Sequence, residues 1–202
     1  MENVIIIGAG GHAKVIADIV LRQGDRLLGF LDDSPNATGA YGIPVLGKVA
    51  DYPLWPNARF LIGIGSAAVR QRFVNELRDI RWHTAIHPTA VISPLGTSIG
   101  EGTVVMANAV VNPGTTVGRH CILNTGSIVE HDNTIGDYVH ISAGAKTAGT
   151  VTIGRNTWLG IGATVSNDLT VCPDCMIGAG TVVVKDIDAP GTYVGVPARR
   201  LE

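Results

Sequence analysis

The stretch "TVGRHCILNTGSIVEHDNTIG", residues 116–136, carries an aliphatic side chain at every sixth position: Val117, Leu123, Val129 and Ile135. The same step continues on both sides. Upstream it includes Ile99, Val105 and Val111; downstream it runs through Ile141, Ile153, Leu159, Val165, Val171 and Ile177 to Val183, with Thr147 the one non-aliphatic member. Four places after these positions sits a small or modest residue, as at Thr103, Ala109, Thr115, Cys121, Ser127, Ala145, Thr157, Ala163 and Thr181. Both sets are expected to face inward. Neither the 3.6-residue period of a helix nor the two-residue period of a strand produces this step. A strict six-residue repeat is the signature of a parallel β-helix: three hexads form one triangular coil, and each coil buries its aliphatics against its neighbours. Ile86 and Ile92 extend the pattern if one residue is inserted near Pro94 and Leu95, giving about five to six coils between residues 86 and 188.

Before residue 85 the rhythm differs. Val4 to Ile7, Leu27 to Leu31 and Phe60 to Ile64 read as strands, and Ala13 to Arg22 and Ala67 to Arg78 as helices, an alternation that predicts a small parallel α/β sheet of Rossmann type. The expected domains are therefore 1–82, α/β and Rossmann-like, and 83–202, the β-helix with a short C-terminal tail. "VIIIGAGGHAK" sets Gly8, Gly10 and Ala13 in G-x-G-x-x-A spacing between a strand and a helix, with Asp32 closing the second strand. Glycines let backbone approach phosphate, and the N–H groups opening the helix attract its charge. About 80 residues hold one mononucleotide-binding half, which favours a single nucleotide over NAD. The alternative is a plain tight βα turn. Asp32 and Asp33, in "FLDDSPN", are candidates for a ribose or base, or for a polar loop; Gly63 and Gly65 end the next strand beside the same crevice.

The chain has 202 residues, is 46% hydrophobic and carries a formal charge of −2. It can bury a sizeable core. A near-neutral balance supplies no basic field for nucleic acid or anionic membrane, and no run approaches the roughly 18 apolar residues of a membrane span. "MENVIIIGAGG" shows neither a basic leader nor a small-residue cleavage site, so a soluble cytoplasmic protein is expected. Cys121, Cys172 and Cys175 are too few for a disulfide framework, and the lone C-x-x-C is read as packing.

Val129 facing inward puts His131 at a coil corner, with Glu130 and Asp132 on either side. A neighbouring carboxylate fixes an imidazole tautomer and raises its basicity, the simplest general-base arrangement. His140 follows nine residues later. His83, His87 and His120 are read as solvated turn residues.

With these motifs in hand, the run from "GAGGHAK" through "FLDD", "IGIGS", "LNTGSIVEHD", "VHISAGAKTAG" and "LGIGATV" to "GVPAR" resembles the bacterial acetyltransferases that N-acetylate nucleotide-linked 4-amino-4,6-dideoxysugars, and, less closely, the sialic acid O-acetyltransferases of the same superfamily. The resemblance implies a left-handed β-helix, a homotrimer with acetyl-CoA in the groove between solenoids, and no metal. It implies His131 as the base, tuned by Asp132 where some relatives have Glu, with Glu130 a possible substitute partner and Asn124 a possible support. His140 and main-chain groups at Ile161 and Ala179 match acetyl-CoA contacts; Gly10, Gly11, His12, Asp32, Asp33 and Gly65 match sugar-nucleotide contacts. Lys146, Arg155, Arg199 and Arg200 are candidates for the CoA phosphates or ordinary solvated charge. UDP, dTDP and GDP carriers stay open, as does O-acetylation of a sialic acid or related sugar. A zinc carbonic anhydrase needs convergent histidines, and the spacings of His120, His131 and His140 do not match that family's pattern. An NAD-dependent oxidoreductase would leave the solenoid without a role.

Overall fold

The computed structural model describes residues 1–201, which form two compact units, Met1–Pro88 and Thr89 onward. In the first, β1 (Asn3–Ile7), α1 (Gly11–Arg22), β2 (Arg26–Leu31), β3 (Val45–Gly47), β4 (Arg59–Ile62) and α2 (Ala67–Glu76) follow in order, and the sheet is parallel with strand order β3-β2-β1-β4. Val4 to Ile7 are fully buried, as a central parallel strand covered on both faces requires. Ala13, Ile16, Ala17, Ile19 and Val20 form the buried stripe of α1. Ile5, Ile7, Leu31, Phe60, Ile62 and Phe73 belong to the core on the α2 side. The edge strand β3 and a 3₁₀ segment, Val49–Leu54, lie outside the sequence expectation.

The second unit is a left-handed parallel β-helix. Strands of two or three residues repeat on three faces: Ser98–Ile99 to Thr170–Val171; Val91–Ile92 to Val182–Val183; and Val104–Val105 through His140–Ile141 to Cys175–Ile177. Partners stand eighteen residues apart, Val117 against Ile135 and Ile135 against Ile153. Ile92 instead pairs with Val111, nineteen away, which is the inserted residue the sequence requires. From Val105 to Val183 the inward hexad side chains are at most 2% exposed, and the small set from Thr103 to Thr181 is fully buried. Each fully buried aliphatic contributes about 1.5–3 kcal/mol. Gly191–Val194 adds to the third face and pairs antiparallel with Arg199–Arg200, so the tail is partly ordered as sheet.

The corners carry a second six-residue rhythm. From Gly96 to Gly180 every sixth residue has positive φ, including Asn108 (58°), His120 (52°), Asp132 (59°), Tyr138 (62°) and Asp168 (60°). Left-handed backbone is uncommon outside glycine and best tolerated by Asn and Asp. These corners turn one face into the next, and one of them holds Asp132.

Thr147 stacks between Val129 and Val165, 1% exposed, and its hydroxyl has no hydrogen-bond partner within the chain. A buried hydroxyl left unpaired costs about 1–3 kcal/mol. Thr147→Val, nearly identical in shape, is therefore expected to raise the unfolding free energy by about 1–2 kcal/mol and the urea midpoint with it. A lower midpoint in urea unfolding would contradict this account.

Three histidines depart from the sequence reading. His83, His87 and His120 are 7%, 8% and 2% exposed, hence not solvated turn residues. His120 stacks on Tyr138 with ring centroids 5.6 Å apart, and its ring lies where a side chain on Gly102 would otherwise be. His83 Nε2 lies 3.2 Å from Asp25 Oδ2, and burial outweighs that carboxylate in lowering its pKa.

Candidate active site

At the carboxyl ends of β1, β2 and β4 the first unit has a crevice of about 180 Å³, lined in part by Gly8, Asp32, Asp33, Ile64, Arg72 and Phe73. This is where open parallel sheets take ligands. Gly8 adopts φ +95°, which turns the chain out of β1. A Cβ on Gly10, Gly11 or Gly65 would meet nothing within 4 Å, so the backbone there is open to a guest. Gly10 is the N-cap of α1, with neither a side-chain cap nor an acid in the first turn to satisfy the helix N–H groups. Gly63 serves packing: a Cβ there would sit 2.6 Å from that of Ala13 and 2.8 Å from Ile6 Cγ2. This explains the alanine in the G-x-G-x-x-A spacing.

The two acids beside the crevice have defined partners. Asp32 Oδ2 accepts from the Ala9 N–H (2.7 Å) and Oδ1 from the Ser34 N–H (2.8 Å), so this carboxylate braces the glycine loop against the turn after β2. Asp33 Oδ1 accepts from the Val49 N–H at 2.9 Å. His12, half-buried, has its pKa lowered to about 4, first by burial and then by the Arg70 guanidinium. It is neutral near pH 7 and offers hydrogen bonds rather than charge. Arg70 is 2% exposed and donates to the Gly65 carbonyl at 2.5 Å, fixing the turn after β4. Neither Arg70 nor Arg72 was singled out by the sequence motifs. A cation at the crevice follows from α2's register, which becomes visible only once α2 is docked.

On the solenoid, His131 Nδ1 lies 2.8 Å from Asp132 Oδ2. A carboxylate only accepts, so Nδ1 carries the proton and Nε2 is the basic nitrogen. His131 is exposed, and its pKa is raised, foremost by the Asp132 hydrogen bond; desolvation opposes this, and the charges of Asp132, Glu130 and Asp168 add to the rise. Glu130 is held elsewhere: its Oε2 accepts from Asn112 Nδ2 at 2.8 Å. The partner in contact with His131 is Asp132.

Asn124 and His140 meet, a pairing the spacing did not reveal. The Thr125 N–H donates to Asn124 Oδ1 at 2.8 Å, which turns Asn124 Nδ2 toward His140 Nε2 at 3.2 Å. An amide nitrogen only donates, so His140 Nε2 accepts and its ring proton sits on Nδ1. Trp158 stacks on that ring, centroids 4.9 Å apart, and is itself held by Ser142 Oγ at 2.6 Å. His140 lies on the face between the corners at Asp137 and Ala143, the face opposite the His131 corner. Within one chain the two histidines are on opposite sides of the prism. Ile161 and Ala179 are exposed and occupy one corner in successive coils, linked by the Gly180 N–H to the Ile161 carbonyl at 2.8 Å.

Cys175 is buried with its sulfur 3.5 Å from that of Cys172. Burial foremost, with Cys172 adding, pushes its thiol up to about 12, far from a thiolate. Among the described residues no group of three or more His, Cys, Asp or Glu is arranged to hold a metal ion, and no helix is long and apolar enough to cross a membrane.

A hexapeptide β-helix with an Asp-paired histidine at a corner, preceded in sequence by a small parallel α/β sheet, has the make-up of a hexapeptide transferase with an N-terminal α/β domain. Residues 3–77 match the family model of the PglD N-terminal domain, and 96–131 and 150–185 match that of the bacterial transferase hexapeptide. The chain is 38% identical over 115 residues to UDP-N-acetylbacillosamine N-acetyltransferase of Bacillus subtilis, a match spanning 53% of this chain and about half (52%) of that protein's length. A structure of perosamine N-acetyltransferase from Caulobacter crescentus, with CoA and GDP-perosamine, superposes at a TM-score of 0.95 with 34% identity, covering 100% of this chain and 98% of that one. The acetyltransferase domain of PglB from Neisseria gonorrhoeae with acetyl coenzyme A superposes at 0.93 with 34% identity, covering 99% of each. The chain belongs to the bacterial nucleotide-4-amino-sugar N-acetyltransferase family of hexapeptide acyltransferases.

Proposed function

We propose that this protein transfers the acetyl group of acetyl-CoA to the 4-amino group of a nucleotide-linked 4-amino-4,6-dideoxysugar, for bacterial glycan biosynthesis. The observation that carries the reading is the exposed His131, its Nδ1 fixed by Asp132 and its Nε2 left basic. The neutral amine attacks the thioester carbonyl; as the N–C bond forms the nitrogen becomes acidic, Nε2 takes its proton, and collapse of the tetrahedral intermediate expels CoA as thiolate, which the imidazolium reprotonates. No acyl-enzyme is needed. Holding both substrates in place supplies up to about 7–11 kcal/mol of the barrier reduction, and the base adds about 10²- to 10⁴-fold.

In this reading the crevice at Gly8, Gly10, Gly11, His12 and Gly65 takes the nucleotide diphosphate on the open α1 terminus. Asp33 keeps a second carboxylate oxygen for the ligand, while Asp32 shapes the loop. His140, with Ile161 and Ala179, contacts acetyl-CoA. His131 and His140 stand on opposite sides of one prism, which supports a site shared by neighbouring copies; a closed homotrimer provides three such sites.

The test presents acetyl-CoA and the purified protein with UDP-, dTDP- and GDP-linked 4-amino-sugars and with sialic acid, following thiol release and product mass. Saturable transfer to an amino-sugar, with a gain of one acetyl on nitrogen, is expected. Transfer to sialic acid alone would overturn the reading.

A further inference from the structure

The corner that follows His131 on the same edge of the prism, one coil later, is Gly149. We propose that Gly149 is a positioning residue: its missing side chain seats the His131 ring against Asp132 and keeps Nε2 open to the acceptor amine. This rests on the proposed role of His131 as the base.

A Cβ built on Gly149 would lie 2.5 Å from both Cε1 and Nε2 of His131 and 3.3 Å from Cδ2, so the imidazole lies against the glycine backbone. The backbone itself gives no reason for glycine. Gly149 lacks positive φ, unlike Thr150 beside it (60°), so alanine is compatible with its conformation. The pattern along the coil is consistent. The positions preceding the left-handed corner residues run in steps of six from Leu95 to Ala179. Glycine occurs there once, one coil beyond the histidine. Gly114, beneath Asp132, also leaves space for a side chain, here the Asp132 carboxylate, but its φ of +73° already calls for glycine.

A methyl at 149 has two consequences for chemistry. It displaces the ring from the seat in which Nδ1 meets Asp132, disturbing the bond that holds the proton there, and it covers Nε2, where the amine proton must arrive. The atoms it meets are the far end of a side chain that is exposed on its other side, so the ring can yield and the coil need not. Displacing a catalytic group by about 1 Å can cost 10²-fold in rate.

The experiment is Gly149→Ala, alone and combined with His131→Ala. For the single variant kcat is expected to fall about 10- to 100-fold, with the KM of each substrate within about threefold of wild type and the melting temperature nearly unchanged. The ring's titration, followed by NMR of labelled histidine, is expected to move toward that of an ordinary imidazole, since the bond between Nδ1 and Asp132 is disturbed while Glu130 and Asp168 stay in place. In the His131→Ala background the second substitution is expected to change turnover little, as it should if Gly149 acts through that ring. Wild-type kcat and titration in Gly149→Ala would overturn the proposal, as would an equal rate loss in both backgrounds or a fall in melting temperature that accounts for the lost activity. Wild-type turnover in His131→Ala alone would instead remove His131 as base. The NMR titration would still report whether Gly149 seats the ring.

Discussion

His131→Ala is expected to lower turnover at least about a hundredfold while leaving the melting temperature and oligomeric state unchanged. The size follows from what the imidazole does and what survives without it. Attack by an amine on a thioester gives a positively charged nitrogen that must lose a proton before the intermediate can collapse toward amide. Water can accept that proton only weakly. A base already hydrogen-bonded on its far side accepts it without reorganising, the basis of the 10²- to 10⁴-fold typical of general-base help. Positioning of the two substrates stays in the variant, so residual activity is expected. The fold should not suffer, because the His131 side chain is 57% exposed and the inward residue of its hexad is Val129. Surface replacements of this kind usually lie within about 0.5 kcal/mol of neutral. A variant retaining more than about a third of wild-type kcat at saturating substrates, with its fold verified, would remove His131 from the chemistry.

The buried pattern of the solenoid was legible because every coil repeats it. Side chains that must stack on their copies eighteen residues away cannot vary freely, and even the one-residue insertion before Val111 follows from the phase of Ile92. The corner rhythm was not legible. Left-handed backbone is filled here by Gly, Asn, Asp, His, Tyr and Thr, so no residue type marks it, although it brings Asp132 against His131. Burial of His83 and His120 was hidden for a related reason: it goes with Asp25 and Tyr138, distant in sequence, and with the space at Gly102. The short strands Val45–Gly47 and Gly191–Val194 lack a run long enough to show a period. At the site, sequence named His131 and both flanking acids but could not choose between Asp132 and Glu130. The bond from Asn112 to Glu130 comes from the preceding coil and appears only in the folded register.

That choice leads to the second large effect. Asp132→Asn is expected to lower kcat roughly 10- to 100-fold and to move the acidic limb of its pH profile to lower pH. Asparagine is the informative replacement, because position 132 sits at φ +59° and Asn tolerates that backbone where alanine would add strain. The general base must be neutral, so activity falls as pH drops through its pKa. Asp132 raises that pKa through its hydrogen bond and its charge, which sets the wild-type limb above the range of an ordinary histidine. Removing the carboxylate's charge lets the pKa fall, and the limb follows it downward, while the smaller influences of Glu130 and Asp168 persist. The variant's base is thus neutral over a wider range yet weaker, and its tautomer is no longer held by an obligate acceptor. Consequently the ratio of wild-type to variant kcat should be largest near and above neutrality and should narrow as pH falls. Protonation of the substrate amine depresses both enzymes alike at low pH and cancels in that ratio. If the ratio instead stays constant across the acidic limb, Asp132 acts by orientation alone; if it widens toward low pH, the assignment of Asp132 as the partner that raises the basicity of His131 is wrong.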